Sequence, residues 1–362
     1  MAPRLHPTEH SIILDAPQEV TTDITTRILN NDLDILFLNY DLEPTQFIDG
    51  NEQSNSPFYG LGFQHINFQI VLGPGVTKLY GMFQKCSALE DLPSFATERI
   101  TDFRNMFRDC AALKRAPKLD MAAAVNMQSM FHGCQMLTEV PKLNTPKATN
   151  AQDMFNGCYS LTTFALPDTS QVKNMQNMFN GCSSIKQMKS LRMDSAQTAQ
   201  SMFHGCIAME EIGDLNTDNV TNMQEMFRGC RNLRTVGEIE TGNVTNMSGM
   251  FFGCMELTTA PLFDTSSALT MDSMFENCRN LSFVPLYDTI SVTSMESMFN
   301  GCFHLTSVPF FDTRNVTNMQ EMFENCSSLA TVPHFDTTRL KKSQDMFRGC
   351  LKLTSLPSYY GR

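Results

Sequence analysis

No stretch of this chain approaches the ~20 consecutive apolar residues that a membrane-spanning helix needs; the densest is only Leu33 to Leu38. The opening residues, MAPRLHPTEHSIILDAP, have no basic region followed by an apolar run, and neither end carries a lipidation signature. No signal peptide, anchor or membrane insertion is therefore expected, and the chain as written would be released into a cytoplasm. Basic charge is also scarce, with 27 Lys and Arg against 38 Asp and Glu, a net charge of -11. That balance lacks the basic footprint of a nucleic-acid binder. Catalytic signatures are missing too: there is no GxSxG, P-loop, HExxH or paired-carboxylate motif, no CxxC pair, and the histidines are scattered. An enzyme, a cofactor and a metal site are not expected.

What is present is a repeat. All twelve cysteines, from Cys86 and Cys110 through to Cys350, stand 24 residues apart, and Met-Phe precedes each one by four and three residues. A fixed period of this length marks a solenoid, in which each unit packs only against its neighbours. The net negative charge, in contrast, sits mostly outside the repeats. Residues 1–60 hold ten (Glu9, Asp15, Glu19, Asp23, Asp32, Asp34, Asp41, Glu43, Asp49, Glu52) against Arg4 and Arg27, a local charge of -8.

Within Thr221 to Gly229, TNMQEMFRG, a threonine with glutamine three residues on reads as a capping box. Met223, Met226 and Phe227 then share one helical face, and Gly229 suits a left-handed C-cap. The spacing predicts a helix of about two turns. A strand of about four to five residues follows the cysteine, with Leu305 and Val308 showing the inward positions. Proline ends it in most units, and an Asp-Thr turn such as Asp264-Thr265 leads into the next helix. The expected fold is an α/β solenoid, a right-handed leucine-rich-repeat-like coil of twelve 24-residue units over 82–362, each with a short parallel strand and a short helix. Before it lie a degenerate first rung over 58–81 and an acidic N-terminal capping segment over 1–57. In that segment Thr22 caps a helix over Asp23 to Asn31, and Leu33 to Tyr40 reads as a strand.

The repeat consensus, MFxGCxxLTxVPxxDTSxVTNM, resembles that of the BspA-like leucine-rich-repeat proteins, found on bacterial and mycoplasmal surfaces and in some protists and viruses. The resemblance implies a leucine-rich-repeat-like solenoid displayed on a cell or virion surface. For surface members it also implies adhesion to host components.

The cysteines form one column, one per unit, and read as buried apolar spacers rather than disulfide partners or ligands. The methionines read as core filling rather than a copper or haem site. Acids or amides before the threonine, Asp264, Asp288 and Asp312 among them, read as turn caps rather than a calcium ladder. The Asn-Val-Thr sequons at Asn219, Asn243 and Asn315 follow from the repeat consensus. The variable positions between the inward Leu and Val columns offer a recognition surface: Glu90, Lys114, Arg115, Glu139, Lys186, Glu210, Glu211, Arg234, Thr258, Thr259, Phe283 and Thr306. A protein or glycan partner along this face is the expected function. The alternative is a structural role in a larger assembly such as a virion or tail appendage. Leu353, Leu356, Tyr359 and Tyr360 mark a C-terminal edge expected to associate with another copy or a different subunit.

Overall fold

The computed structural model describes residues 10–48, 51–165, 167–189 and 191–354. The chain divides into two compact units, Met1–Val172 and Lys173–Arg362.

The first unit opens with β1 (Ser11–Leu14), α1 (Thr22–Leu29), β2 (Ile35–Leu38), an antiparallel hairpin of β3 (Pro44–Ile48) and β4 (Asn51–Ser54), and then β5 (Gln69–Leu72). Strands β1, β2 and β5 pair in parallel in that order, with Ser11 opposite Ile35. This offset already equals the repeat length, so the acidic segment contains a strand, helix and strand of the same coil. The cap of α1 is Thr21, one residue before the expected Thr22, and its hydroxyl accepts from the Ile24 N–H at 3.3 Å. The turn past the helix passes through Asn31, which has φ 53°.

The chain before the cysteine repeats also supplies donors to them. Leu42 and Gly60 donate their N–H groups to the carbonyls of Lys78 and Gln84, at 3.0 and 2.9 Å. The hydroxyls of Ser54 and Ser56 donate to the carbonyls of Tyr80 and Met82, at 2.6 and 2.5 Å. Burying those carbonyls without donors would be costly.

In the repeats, the Met-Phe segment is not a helix. Among the described residues it is a run of tight turns, and each unit places two residues in the left-handed region. Glu225 has φ 56° and Gly229 has φ 71°, and Ser129 and Gly133 repeat the pair at 54° and 73°. The hydrogen bonds explain why. Met223, Glu225, Phe227 and Gly229 donate not back along their own turn but across to the carbonyls of Asn246, Ser248, Met250 and Phe252 in the next rung, at 2.7 to 3.0 Å. The intervening Met226 and Arg228 donate three residues back, to Met223 and Glu225. Two left-handed residues four apart break the run, and every second N–H turns toward the same neighbour, which a helix cannot do. The expected capping box is accordingly absent: Thr221 donates to the carbonyl of Gln197 on the preceding rung, and Asn222 caps Gln224 instead.

The strands are also shorter than expected. Where strands form they hold two residues, as in β6 (Glu139–Val140) paired with β7 (Thr163–Phe164). In the second unit β8 (Gln187–Met188), β9 (Glu211–Ile212) and β10 (Thr235–Val236) form one parallel sheet. Elsewhere the ladder is a single bridge such as Thr259 to Phe283. A second ladder of single bridges runs through Asn222, Asn246, Thr270, Ser294 and Asn318.

Each unit's core is a stack. Phe83, Phe107, Phe131 and Phe155 lie 5.4 to 5.6 Å apart in the first unit, and Phe179 to Phe251 repeat the stack at 5.4 to 5.6 Å in the second. In the later rungs Phe263, Tyr287, Phe311 and Phe335 add a second aromatic layer at 6.0 to 6.4 Å from those rings. The buried threonine of the Asp-Thr turn ties rungs together, as Thr265 does by donating to the carbonyl of Asp288 at 2.7 Å.

Candidate recognition face

The two variable positions between the inward columns are outward because their neighbours are not. Leu233, Leu257 and Leu281 are buried, as are Ala260 and Val284, so the pair between each must face solvent. In the first unit Lys114, Arg115 and Glu139 are exposed and Glu90 is half-buried. Lys114 reaches Glu90 at 2.5 Å, and Arg115 bridges Glu139 through the backbone. In the second unit Lys186, Glu210, Glu211, Arg234, Thr258, Thr259, Phe283 and Thr306 are all exposed. Arg234 stands 3.8 Å from Glu256, a solvated pair of small energetic worth.

Of these twelve, the structure brings Arg234, Thr259 and Phe283 together. With Leu262, Pro261 and Pro285 they line a groove of about 490 Å³. Leu262 is one of three residues that reading the variable pairs alone misses. Leu262, Leu286 and Phe310 form a column 24 residues apart, exposed at 78%, 65% and 61%, and Phe283 beside them is 58% exposed. The signal was present in the repeat register: the same column holds Asp214 and Glu238 in earlier rungs, both exposed. Of the predicted C-terminal edge, Leu353 is half-buried, while Leu356, Tyr359 and Tyr360 lie outside the described residues.

Two other columns take roles inside the frame. No disulfide joins the cysteines, and Cys254 donates its thiol to the carbonyl of Phe227, three residues before the cysteine of the preceding rung, at 3.2 Å. Burial pushes the Cys230 thiol up to about 12, so no thiolate nucleophile or ligand forms there at neutral pH. The turn aspartates cap: Asp264 accepts from the N–H and the hydroxyl of Ser266 at 3.0 and 2.7 Å, and these bonds hold its carboxyl below the usual range. Among the described residues, no three of His, Cys, Asp or Glu stand together in a way that would hold a metal ion. No helix among them is long and apolar enough to cross a membrane.

Parallel strands and turns stacked at a 24-residue interval over an aromatic core define a repeat protein of leucine-rich-repeat type. Residues 77–192, 197–284 and 280–359 match the family described as "Mycoplasma protein of unknown function, DUF285", and the chain belongs to that family. It is similar in structure to a leucine-rich repeat protein from Eubacterium ventriosum, with a TM-score of 0.51 at 15% identity over 91% of this chain and 86% of that one. Looser similarity extends to a chain of the Toll–Spatzle complex of Drosophila, TM-score 0.27 at 12% identity over 84% of this chain and 43% of that one. A chain of the TLR13–ssRNA13 complex gives 0.28 at 12% identity over 91% and 71%. No curated protein matches the sequence.

Proposed function

We propose that this chain is a non-catalytic recognition protein with BspA-like repeats, which binds a protein partner through the exposed strand-borne face of its second unit. Residues 1–57 serve as the cap of the repeat stack. The observation that carries the reading is the apolar column of Leu262, Leu286 and Phe310 beside Phe283, exposed at 58 to 78% while the stacked rings from Phe251 to Phe323 in the same rungs are buried. Large apolar patches on a soluble surface mark interaction sites. The test is quantitative capture on the intact chain, wild type against Phe283→Ser with Thr259→Glu. A specific partner should be retained by the first and lost by the second; identical sets retained by both would remove the reading.

A second reading, a structural role through association of copies or subunits, is favoured by Leu351, exposed at 84% next to half-buried Leu353. Light scattering over a concentration series, with and without Leu353→Glu, tests it. A monomer at every concentration would eliminate the self-associating form.

A further inference from the structure

The apolar column does not stand alone. Burial alternates along 262–265, so Leu262 and Asp264 both face outward while Phe263 and Thr265 are buried. The same alternation recurs one rung on with Leu286 and Asp288, and again with exposed Phe310 and half-buried Asp312. An apolar stripe of Leu262, Leu286 and Phe310 therefore runs beside an acidic stripe of Asp264, Asp288, Asp312 and Asp336, one residue of each per rung. Its N-terminal border is acidic as well, with Asp214, Glu238 and Glu240 exposed. The basic groups nearby are Arg234 at the end of the groove, Arg314, which is already paired with Asp312 at 2.7 Å, and exposed His334, which takes the column's place one rung after Phe310 and lies near Asp336.

The spacing of the stripe narrows the partner further. The rungs under the stripe repeat at an interval between the ~4.8 Å of a parallel ladder, set beside it by the Thr259 to Phe283 bridge, and the 5.6 to 5.9 Å of the core rings beneath it, which brackets the ~5.4 Å pitch of an α-helix. A helix lying along the stack presents one side chain per turn to each rung, at positions i, i+4 and i+7, so its anchors fall between Leu262, Leu286 and Phe310 without a change of register. An extended strand, whose same-face residues recur at ~6.8 Å, drifts out of step over three rungs.

We infer that the second unit binds a basic amphipathic helix of a partner protein, apolar anchors against Leu262, Leu286, Phe310 and Phe283, and lysines or arginines along the aspartate stripe. The inference rests on the recognition reading above and supplies the chemistry of the partner. The acidic stripe selects by charge and raises the association rate, and the apolar column holds the complex once formed. An anionic membrane surface, which also attracts basic helices, is repelled by this face.

The test uses the intact chain and a fluorescein-labelled helical peptide of about four turns, with leucines at i, i+4, i+7 and i+11 and lysines flanking them. Two controls are a peptide with glutamate for every lysine and a scrambled peptide of the same composition. Fluorescence polarisation should show the lysine peptide bound at least about tenfold more tightly than either control. Leu286→Ser with Phe310→Ser should weaken it about tenfold or more at every salt concentration. Asp264→Asn with Asp288→Asn should weaken it chiefly at low salt, because screening already removes that attraction at high salt. All four side chains are outward, so circular dichroism and thermal melts of the variants should match the wild type. Equal binding of the scrambled peptide reduces the interaction to net charge, equal binding of the glutamate peptide removes the acidic stripe from it, and no saturable binding ends the proposal. If the peptide fails while capture still depends on Phe283, the recognition reading stands and only the partner's chemistry is wrong.

Discussion

Phe227 shows what one residue of the repeat does. Its ring lies 5.6 Å from Phe203 and 5.4 Å from Phe251 and is fully buried. Phe227→Ala should cost ~3 to 5 kcal/mol in a urea or thermal unfolding series. Arg228, next along, stacks its guanidinium 3.7 Å from the Phe252 ring and stands 3.4 Å from Glu225, both half-exposed contacts. Arg228→Ala should cost ~1 kcal/mol or less, and equal losses at the two sites would place the wrong side of the segment inside. His132 is sensitive in a different way. Its Nδ1 is buried with no hydrogen-bond partner, and burial, with the nearby Arg108 charge, lowers its pKa from 6.5. The native state then binds fewer protons than the unfolded one, so its contribution is present above pH 6.5 and lost as pH falls through the lower native value. Asn156 and Asn180 hold the same column, so His132→Asn should leave a chain whose urea midpoint changes less between neutral and mildly acidic pH. Identical pH profiles for the two proteins would refute this.

At the scale of the element, the Met-Phe segment separates two accounts of the same sequence. In a helix Ala is favoured over Gly by about 1 kcal/mol. In a left-handed turn the order reverses, because Cβ crowds the following carbonyl and costs ~1 to 2 kcal/mol. Ser129 has φ 54° and is buried, while Gly249, at φ 62°, shows that glycine fits the equivalent place. Ser129→Gly should therefore be more stable than Ser129→Ala by ~1 kcal/mol, measured by denaturant midpoints; the opposite order would restore the helix.

For the whole molecule, the cysteine column is a reporter of integrity. Cys350 is half-buried and its thiol is raised to about 11, whereas the other eleven cysteines are buried. A thiol-reactive disulfide reagent should modify Cys350 first, and the others only as fast as the rungs open. Rapid modification of several thiols under native conditions would mean that the rungs do not pack as described. The compact units Met1–Val172 and Lys173–Arg362 give the same experiment a second readout, since protection can be mapped to each by mass spectrometry.

Much of this was legible in the repeat. The 24-residue cysteine column, the buried Phe and Leu positions and the outward variable pairs follow from the period alone, because any coil that repeats without insertion must put one column in one environment. The conformation of the Met-Phe segment does not follow. Burial at Met223, Met226 and Phe227 has helical spacing, yet a run of right- and left-handed turns buries the same three residues. Local pattern is degenerate between the two, and the deciding hydrogen bonds, such as Phe227 N–H to the Met250 carbonyl, reach the next rung. The first column of the recognition face came from the variable pairs, but Leu262, Leu286 and Phe310 look like core residues to composition. The sequence by itself determined the period, the identity of each column and the absence of catalytic motifs. Only the tertiary structure decided how the backbone turns within a rung and which outward residues draw together into a groove, because both depend on partners about 24 residues away rather than on neighbours along the chain.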